Sequence, residues 1–152
     1  VEIFRAVQGE DSPDAGHALR AISQAYFRAG DEAAGDRVAL EALRQLRAAF
    51  GPRHRFTLTQ QAGVARRLVA TGSADEAVPL LREAVDGFEA LEPPNPPVLA
   101  QTRASLAWAL ARIGERDEAA SLLDVIRPDL DSLPAAVRQQ FEQAEAAVGR
   151  GG

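Results

Sequence analysis

Apolar residues recur at helical spacing on both sides of three glycines, Gly30, Gly72 and Gly114, which are separated by 42 residues each. Before the glycines stand three apolar pairs, each pair one helical turn apart: Ile22 with Tyr26, Val64 with Leu68, and Leu106 with Leu110. After the glycines, three further sets match in the same phase: Val38, Leu80 and Leu122; Ala42, Ala84 and Ile126; Leu46, Phe88 and Leu130. A four-residue step keeps side chains on one face of a helix. The pattern predicts three copies of helix, turn and helix, with Ile22 and Tyr26 facing the core.

Each glycine is predicted to end one helix and to precede the start of the next. A glycine can take the left-handed conformation that closes a helix, and the segments that follow begin with acidic residues or serine. Ser73 and Glu76 have the spacing of a capping box, in which the hydroxyl and the carboxylate each satisfy an amide of the first turn. The glycines are therefore interpreted as the turn within each copy.

Proline-bearing segments at residues 9–13, 51–55 and 93–97 are predicted to connect the copies, since proline fits the first turn of a helix. Gly9 lies 42 residues before Gly51, so residues 1–13 are interpreted as the end of a preceding, truncated repeat. Repeats are then assigned to residues 14–55, 56–97 and 98–131, all within one domain of residues 1–152. After Pro128 the period breaks, and residues 132–149 are predicted to form a capping helix with Val137, Phe141 and Ala144 on one stripe.

Several of these positions resemble the tetratricopeptide repeat. The resemblance lies in the glycine, the large apolar positions, the small residue seven positions before the glycine (Ser23, Ala65, Ala107) and the alanine five positions after it (Ala77, Ala119). The 42-residue period and the segment 50–54 are similar to the longer variant found in kinesin light chains and in many bacterial regulators. The resemblance implies an all-α fold, a right-handed α-solenoid of antiparallel helix pairs. It further implies that His54 caps the helix after it, and that Gly35, which replaces the family's alanine, costs about 1 kcal/mol in a helix.

Composition agrees with helices and narrows the function. Of the 152 residues, 31 are alanine and 5% are aromatic, which favours closely packed helices over a sheet sandwich. The absence of cysteine excludes disulfides and thiolate metal sites. A net charge of −5 weighs against nucleic-acid binding, and the longest apolar run is too short for a membrane span. We expect a cytoplasmic protein. All 17 basic residues are arginine, which is typical of proteins from GC-rich genomes. The chain begins at Val1 and contains no methionine, so we expect it to be a piece of a larger bacterial protein.

The sequence presents no catalytic, metal or cofactor site. His17 and His54 lack a partner at ligand spacing, and the serines Ser23, Ser105 and Ser121 lack a histidine at a compatible position for nucleophilic catalysis. The carboxylates fall at surface spacing, which a solvated face explains better than an acid–base pair. We therefore expect that the protein is not an enzyme and takes no cofactor or metal.

Acidic residues are missing from residues 15–30, 51–74 and 95–114, which correspond to the first helix of each copy. Those stretches carry arginines, whereas the second helices carry the acids. In tetratricopeptide arrays the first helices line the concave surface and the second helices form the outer one. The resemblance therefore implies a basic concave groove, with the acidic residues on the outer surface. The residues expected to line the groove are His17, Arg20, Gln24 and Arg28 in the first copy, Thr59 and Arg66 in the second, and Gln101, Trp108 and Arg112 in the third.

The leading hypothesis is a protein-interaction module that binds an acidic or C-terminal peptide segment, with no direct nucleic-acid or membrane partner. It is similar to arrays that clamp peptide C-termini, although the lysine and asparagine set of those clamps is not reproduced. A regulatory or sensor domain of a bacterial transcription regulator or protein kinase is the alternative, and an enzyme acting in the groove is a third. Structural interpretations also stand: the arginines can pair with acids of adjacent helices, and Trp108 can be buried under the closing helix at Phe141. A homodimer through an uncovered end of the array is a further possibility.

Overall fold

The computed structural model describes residues 13–149, and within this range the secondary structure is helical, with no strand. The helices are α1 (Pro13–Arg28), α2 (Glu32–Phe50), α3 (Arg55–Ala70), α4 (Ala74–Glu89), α5 (Pro96–Arg112), α6 (Arg116–Ile126) and α7 (Ala135–Gly149), with a 3-10 helix at Arg127–Ser132 between the last two. The predicted all-α class is confirmed. The interpretation of residues 1–13 as a truncated repeat, which depends on Gly9, falls almost wholly outside the described residues. Helices α1, α3 and α5 are called the first helices, and α2, α4 and α6 the second helices.

The chain divides into two compact units, an N-terminal unit of residues 1–64 and a C-terminal unit of residues 65–152. In the N-terminal unit α1 packs along α2. In the C-terminal unit α5 is central, because α4, α6 and α7 all pack on it.

The three glycines of the 42-residue period end their helices as predicted. Gly30, Gly72 and Gly114 have φ values of 84°, 94° and 91°, a region that strains any residue with a side chain. The amide of each following residue donates a hydrogen bond of 2.8–3.0 Å to the carbonyl five residues before it, with the pairs Asp31 to Tyr26, Ser73 to Leu68 and Glu115 to Leu110. This is the Schellman arrangement, which satisfies helix-end carbonyls that would otherwise lack donors.

The starts of the helices differ from one another more than the sequence predicts. Asp31 caps α2, since its Oδ1 accepts a hydrogen bond from the Ala34 amide at 3.1 Å. The Ser73 side chain makes no such bond. The Glu76 amide, which would donate to the hydroxyl in a capping box, donates instead to the backbone carbonyl of Ser73 at 3.1 Å. The predicted capping box is therefore wrong. The cap expected of His54 is confirmed, since its Nδ1 accepts from the Phe56 amide at 3.2 Å at the start of α3.

The packing of α1 on α2 uses small residues rather than large ones. Gly16 lies so close to Leu46 that a Cβ would stand 2.8 Å from its Cδ2, and the Ser23 hydroxyl donates to the Gly35 carbonyl at 2.8 Å. The buried stripe of α1 is formed by Ala15, Gly16, Leu19 and Ser23. The prediction that Ile22 and Tyr26 both face the core is wrong for Tyr26, which is 39% exposed, because the close approach of the helices turns this small-residue stripe inward.

Gly35 is required by packing. A Cβ on Gly35 would lie 2.4 Å from Cε1 of Phe27, so the ring occupies the space that an alanine methyl would need. The cost expected from helix propensity is therefore opposed by packing, because the missing side chain lets the Phe27 ring lie on the α2 backbone.

The last helix covers the core of the C-terminal unit. Val137, Phe141 and Ala144 are buried, which confirms the predicted apolar stripe of α7. The helix begins at Ala135 rather than at residue 132, since Arg127–Ser132 forms a 3-10 helix that leads into Pro134. With α7 on one side and α4 and α6 on the others, α5 is buried on nearly all sides from Ala104 to Ala111.

Candidate partner-binding surface

The segments without acids are the first helices. No Asp or Glu occurs in α3 or α5, and α1 has only Asp14, in its first turn. Each second helix carries one or two acids within its first turn. The first helices are therefore net basic, and α4 and α6 are net acidic, whereas the three acids of α2 are balanced by its three arginines. The charge asymmetry predicted from the sequence thus holds for all first helices and for two of the three second helices.

Two arginines of the second helices and one of the following 3-10 helix are held by carboxylates, whereas Arg37 and Arg116 of the second helices form no ion pair within residues 13–149. Arg44 pairs with Glu41 at 3.0 Å, Arg82 donates two hydrogen bonds to Glu118, and Arg127 pairs with Glu145 at 2.9 Å. The mutual hydrogen bonding lowers the pKa of Glu118 and raises that of Arg82. These guanidinium groups are engaged within the protein and are poorly placed to bind a partner.

Four arginines of the first helices stand in contrast. Arg20, Arg28, Arg66 and Arg112, called here the unpaired set, form no ion pair with a carboxylate among residues 13–149. Arg28 makes one hydrogen bond, from Nε to the Gln24 carbonyl at 3.3 Å. On α5, Arg103 departs from the contrast, since it pairs with Glu89 at 2.9 Å.

Arg66 is a half-buried member of the unpaired set. Burial lowers its pKa from the usual value for arginine, because a cation removed from water is less stable when no charge compensates it. An arginine remains ionised at neutral pH after such a shift. A partly desolvated guanidinium without a carboxylate has free energy to gain from an incoming anion.

The remaining predicted residues of the N-terminal unit have different surroundings. Gln24 and Thr59 are exposed, and the Thr59 hydroxyl donates to the Arg55 carbonyl at 2.7 Å. His17 contacts the Phe56 ring edge-on, with centroids 4.7 Å apart, and Phe50 completes the contact at 6.1 Å. The imidazole of His17 thus belongs to a cluster of rings between α1, the end of α2 and the start of α3, in which His54 stacks on Phe50 at 4.4 Å.

In the C-terminal unit, Trp108 and Arg112 line one cleft with a volume of about 410 Å³. Its opposite wall comes from α7 and consists of Gln143, Ala146 and Ala147. Trp108 is only 7% exposed, which agrees with the interpretation that the closing helix buries it, while Arg112 is exposed. This opening is called the Trp108 cleft.

Gln101 lies in a second, neighbouring cleft that is lined mainly by amide side chains. Its volume is about 560 Å³. The residues around it are Gln101, Ala136, Gln139, Gln140, Glu142 and Gln143. Gln143 lines both clefts, so the two are adjacent, and the second is called the glutamine cleft.

The contribution of α7 to these clefts is absent from the sequence-based set. The polar side chains Gln139, Gln140 and Gln143 recur at steps of one to four residues on the helix interpreted only as a cap. Treating α7 as a further first helix would have identified them, since its apolar stripe faces the core in the same manner and leaves a polar stripe beside α5.

Two further features, a cluster of metal-ligating side chains and a membrane-spanning helix, are absent from the residues that the structure describes. Across residues 13–149, no group of three or more His, Asp or Glu residues could hold a metal ion. None of the helices in that range combines the length and apolarity needed to cross a bilayer.

Comparison with known proteins identifies the fold. No protein-family model matches the sequence, and a search of curated proteins finds no relative. Among solved structures, the chain is similar to a kinesin light chain-like protein of Podosopora anserina with nearly identical TPR-like repeats, at a TM-score of 0.74 and 21% identity. A variant of that protein gives a TM-score of 0.77 at 21% identity, and each match covers 99% of this chain and 74% of the other. The chain has the fold of a TPR-like α-solenoid, as the resemblance implied.

Proposed function

We propose that this protein is an interaction module whose arginine-bearing first helices bind an acidic or C-terminal segment of a protein partner. One observation carries the proposal: the unpaired set has no carboxylate partner within the described chain, while Arg44, Arg82 and Arg127 are all engaged. Sequence composition alone does not distinguish these two groups of arginines.

The chemistry of guanidinium fits this role. An arginine offers several donors in one plane and can hold a carboxylate through two parallel hydrogen bonds. Desolvation of Arg66 strengthens any such contact, because Coulombic attraction is larger where water is partly excluded. The positive charge of the first helices is balanced by the acids of α4 and α6, and the chain as a whole is net negative at −5, so attraction of an anion is confined to the basic helices.

The test compares two variants that carry the same net charge. In the first, Arg20, Arg28, Arg66 and Arg112 are changed to Glu. In the second, the control, Arg37, Arg44, Arg82 and Arg116 of the second helices are changed to Glu. Loss of the control's surface ion pairs costs about 0–1 kcal/mol each, so the control is expected to fold, and circular dichroism checks that both variants are folded.

Binding is measured by fluorescence polarisation with a labelled pool of Asp- and Glu-rich peptides with free C-termini. The wild-type chain and the control are expected to bind the pool, and binding weakens as salt is raised from about 0.05 to 0.5 M, since screening shortens the reach of charges. The first variant is expected to lose binding. Equal binding by both variants, or none by the wild-type chain, would refute the proposal.

A further inference from the structure

A pocket distinct from the two clefts lies where α5 begins and α6 ends. Helix α5 has 17 residues and α6 has 11, which at about 1.5 Å per residue makes them about 25 and 16 Å long. Because the two helices run antiparallel, the shorter α6 ends before the start of α5, and the first turns of α5 are left partly uncovered. The opening at this point has a volume of about 430 Å³. It is called the Asp129 pocket.

The wall of the Asp129 pocket is mainly apolar. It is formed by Leu99 of α5, Val125 and Ile126 of α6, Leu133, and Pro94 of the connector before α5. Val125 is 56% exposed, so its apolar surface is available for contact. An aliphatic group that enters the pocket removes this surface from water, and burial of apolar surface is favourable. The wall therefore favours a ligand with an aliphatic part.

Two charged side chains line the pocket, and only one of them is compensated. Arg103 donates to Glu89 at 2.9 Å, which neutralises the pair and leaves further N–H groups of the guanidinium able to donate. The Asp129 carboxylate forms no hydrogen bond or ion pair within residues 13–149. The Ser132 hydroxyl donates to the Asp129 carbonyl at 2.7 Å, so its oxygen keeps lone pairs that can accept. The pocket thus has an apolar wall and one uncompensated negative charge.

We propose that the Asp129 pocket binds a lysine side chain of a partner protein, with the methylene stem on the apolar wall and the ammonium on Asp129 and Ser132. A lysine side chain combines a long apolar stem with a compact charge that donates three hydrogen bonds. Arginine has a shorter stem, and its planar guanidinium is matched by a bidentate carboxylate rather than by a carboxylate and a hydroxyl. The 152 residues contain no lysine, so a second copy of this chain cannot provide the ligand.

Arg103 gives the pocket a preference for lysine within a peptide over a free amine. Its N–H groups that are not used by Glu89 can donate to a main-chain carbonyl next to the bound lysine. The side chain and the backbone of one residue then both contact the pocket. This inference goes beyond the proposed function, because the pocket takes the opposite charge from the one that the unpaired set binds.

The experiment follows the backbone amides of the full chain by ¹⁵N–¹H NMR, which detects weak binding and also locates it. Acetylated and amidated pentapeptides of glycine and serine are titrated at about pH 6, with a central lysine, norleucine or diaminobutyrate. Norleucine keeps the stem without the ammonium, and diaminobutyrate keeps the ammonium on a shorter stem.

The lysine peptide is expected to shift the amides of Leu99, Val125 and Leu133 saturably. The other two peptides are expected to bind about tenfold more weakly, since one lacks the charged hydrogen bond and the other lacks apolar contact.

Two variants with the same change in charge locate the ammonium. Asp129→Asn is expected to weaken binding of the lysine peptide about tenfold and to leave binding of the norleucine peptide unchanged. Asp131→Asn, at an exposed acid of the same 3-10 helix outside the pocket, is the control and is expected to bind as the wild-type chain does. Both positions are exposed, so both variants are expected to fold, which their NMR spectra show directly.

Butylamine, which is the lysine side chain alone, is the last ligand. It is expected to bind about tenfold more weakly than the lysine peptide, because it makes no backbone contact with Arg103. Equal binding by butylamine would identify a site for small amines and overturn the assignment to a protein partner. Equal binding by the lysine and norleucine peptides, equal weakening by the two variants, or no binding of the lysine peptide would overturn it as well. The unpaired-set variant tests a different surface with acidic peptides, so either proposal can fail without the other.

Discussion

Gly35 lies in the first turns of α2 directly against the ring of Phe27, and two effects oppose each other there. Glycine within a helix is less favourable than alanine by about 1 kcal/mol, mainly because the unfolded chain loses more freedom. A methyl group at this position would stand 2.4 Å from the Phe27 ring, a separation that real contacts do not reach. Overpacking of this kind costs about 1–3 kcal/mol, so the packing effect is the larger one.

The substitution Gly35→Ala is therefore expected to lower the free energy of unfolding by up to about 2 kcal/mol, opposite to the effect that helix propensity predicts. In a Phe27→Ala background the same substitution meets no ring and is expected to be stabilising by up to about 1 kcal/mol. Urea unfolding of the four proteins of this double-mutant cycle measures both effects. Stabilisation by Gly35→Ala in the wild-type background would contradict the packing argument.

Side-chain surroundings were the part of the structure least accessible to sequence reasoning. The apolar spacing placed Ile22 and Tyr26 on the core face, and it did so because pattern analysis weights large apolar residues over small ones. In α1 the close approach to α2 depends on the small residues Gly16 and Ser23, and it is their positions that indicate which face of α1 is buried. For Trp108 the sequence pattern allowed two positions, in the groove or buried under the closing helix. In the structure the ring is buried and also lines a cleft.

At the scale of the helix, the first turns of α2 and α4 show that equivalent repeat positions need not be equivalent in energy. The Asp31 carboxylate accepts from the Ala34 amide, and it also places negative charge at a helix N-terminus. Ser73 has the same place in its repeat, but its hydroxyl makes no capping bond. The sequence motif specifies which groups could bond, whereas the backbone conformation decides which of them do.

Asp31→Ala is accordingly expected to cost about 1 kcal/mol of stability, with a range of about 0.5–2. Ser73→Ala is expected to change stability by less than about 0.5 kcal/mol, since no side-chain hydrogen bond is lost. Thermal and urea unfolding of both variants against the wild-type chain provide the comparison. A loss for Ser73→Ala as large as that for Asp31→Ala would mean that the capping box forms in solution.

The ion pair between α4 and α6 gives stability a dependence on pH. Hydrogen bonds from Arg82 lower the pKa of Glu118, so the folded chain holds this carboxylate ionised to lower pH than the unfolded chain does. The contribution is fully present above the pKa of an unfolded glutamate, about 4.3, and it is lost as the pH falls through the lower, folded value. Both side chains are more than 40% exposed, which limits the contribution to about 0–1 kcal/mol.

Glu118→Gln is thus expected to destabilise the chain by up to about 1 kcal/mol at pH 7 and by less at about pH 3, because the contribution of the wild-type carboxylate is lost progressively as the pH falls from the unfolded pKa toward the lower, folded pKa. Denaturant midpoints at the two pH values test this. Glu83→Gln, on the same helix as Arg82, is a comparison for the general effect of removing an acid. An effect of Glu118→Gln that persisted unchanged at low pH would show that the ion pair is not its source.

For the molecule as a whole, the 42-residue period was sufficient to predict the fold, because it fixes both the glycine turns and the apolar faces that must pack. It was not sufficient for the site. The sequence placed arginines on the first helices, but which of them meet a carboxylate depends on contacts between helices, as the pairing of Arg103 with Glu89 and the isolation of Arg112 show. The clefts depend on α7, whose polar face had no counterpart in the period.

The stability of the C-terminal unit is expected to depend strongly on Phe141, which is 1% exposed on the inner face of α7. Phe141→Ala is expected to cost about 3–5 kcal/mol, because it removes a buried ring and leaves a cavity. Emission of Trp108 in the same unit follows its unfolding. Glu142→Ala, the adjacent exposed position, is expected to stay within about 0.5 kcal/mol of the wild-type chain. Comparable losses for the two variants would contradict the assigned orientation of α7.

The position of α7 also decides how such an array could be lengthened by design. New helix pairs need an apolar flank to stack on, and the flank of α5 and α6 is occupied by Val137, Phe141 and Ala144. The opposite face of α7 presents Arg138, Gln139, Glu142 and Glu145 to solvent, a surface on which an added pair would find nothing apolar to cover. In a longer designed array, additional helix pairs would therefore be inserted before Ser132, and α7 would be kept as the last helix. Helix pairs added after Gly149 would have no apolar surface to pack on.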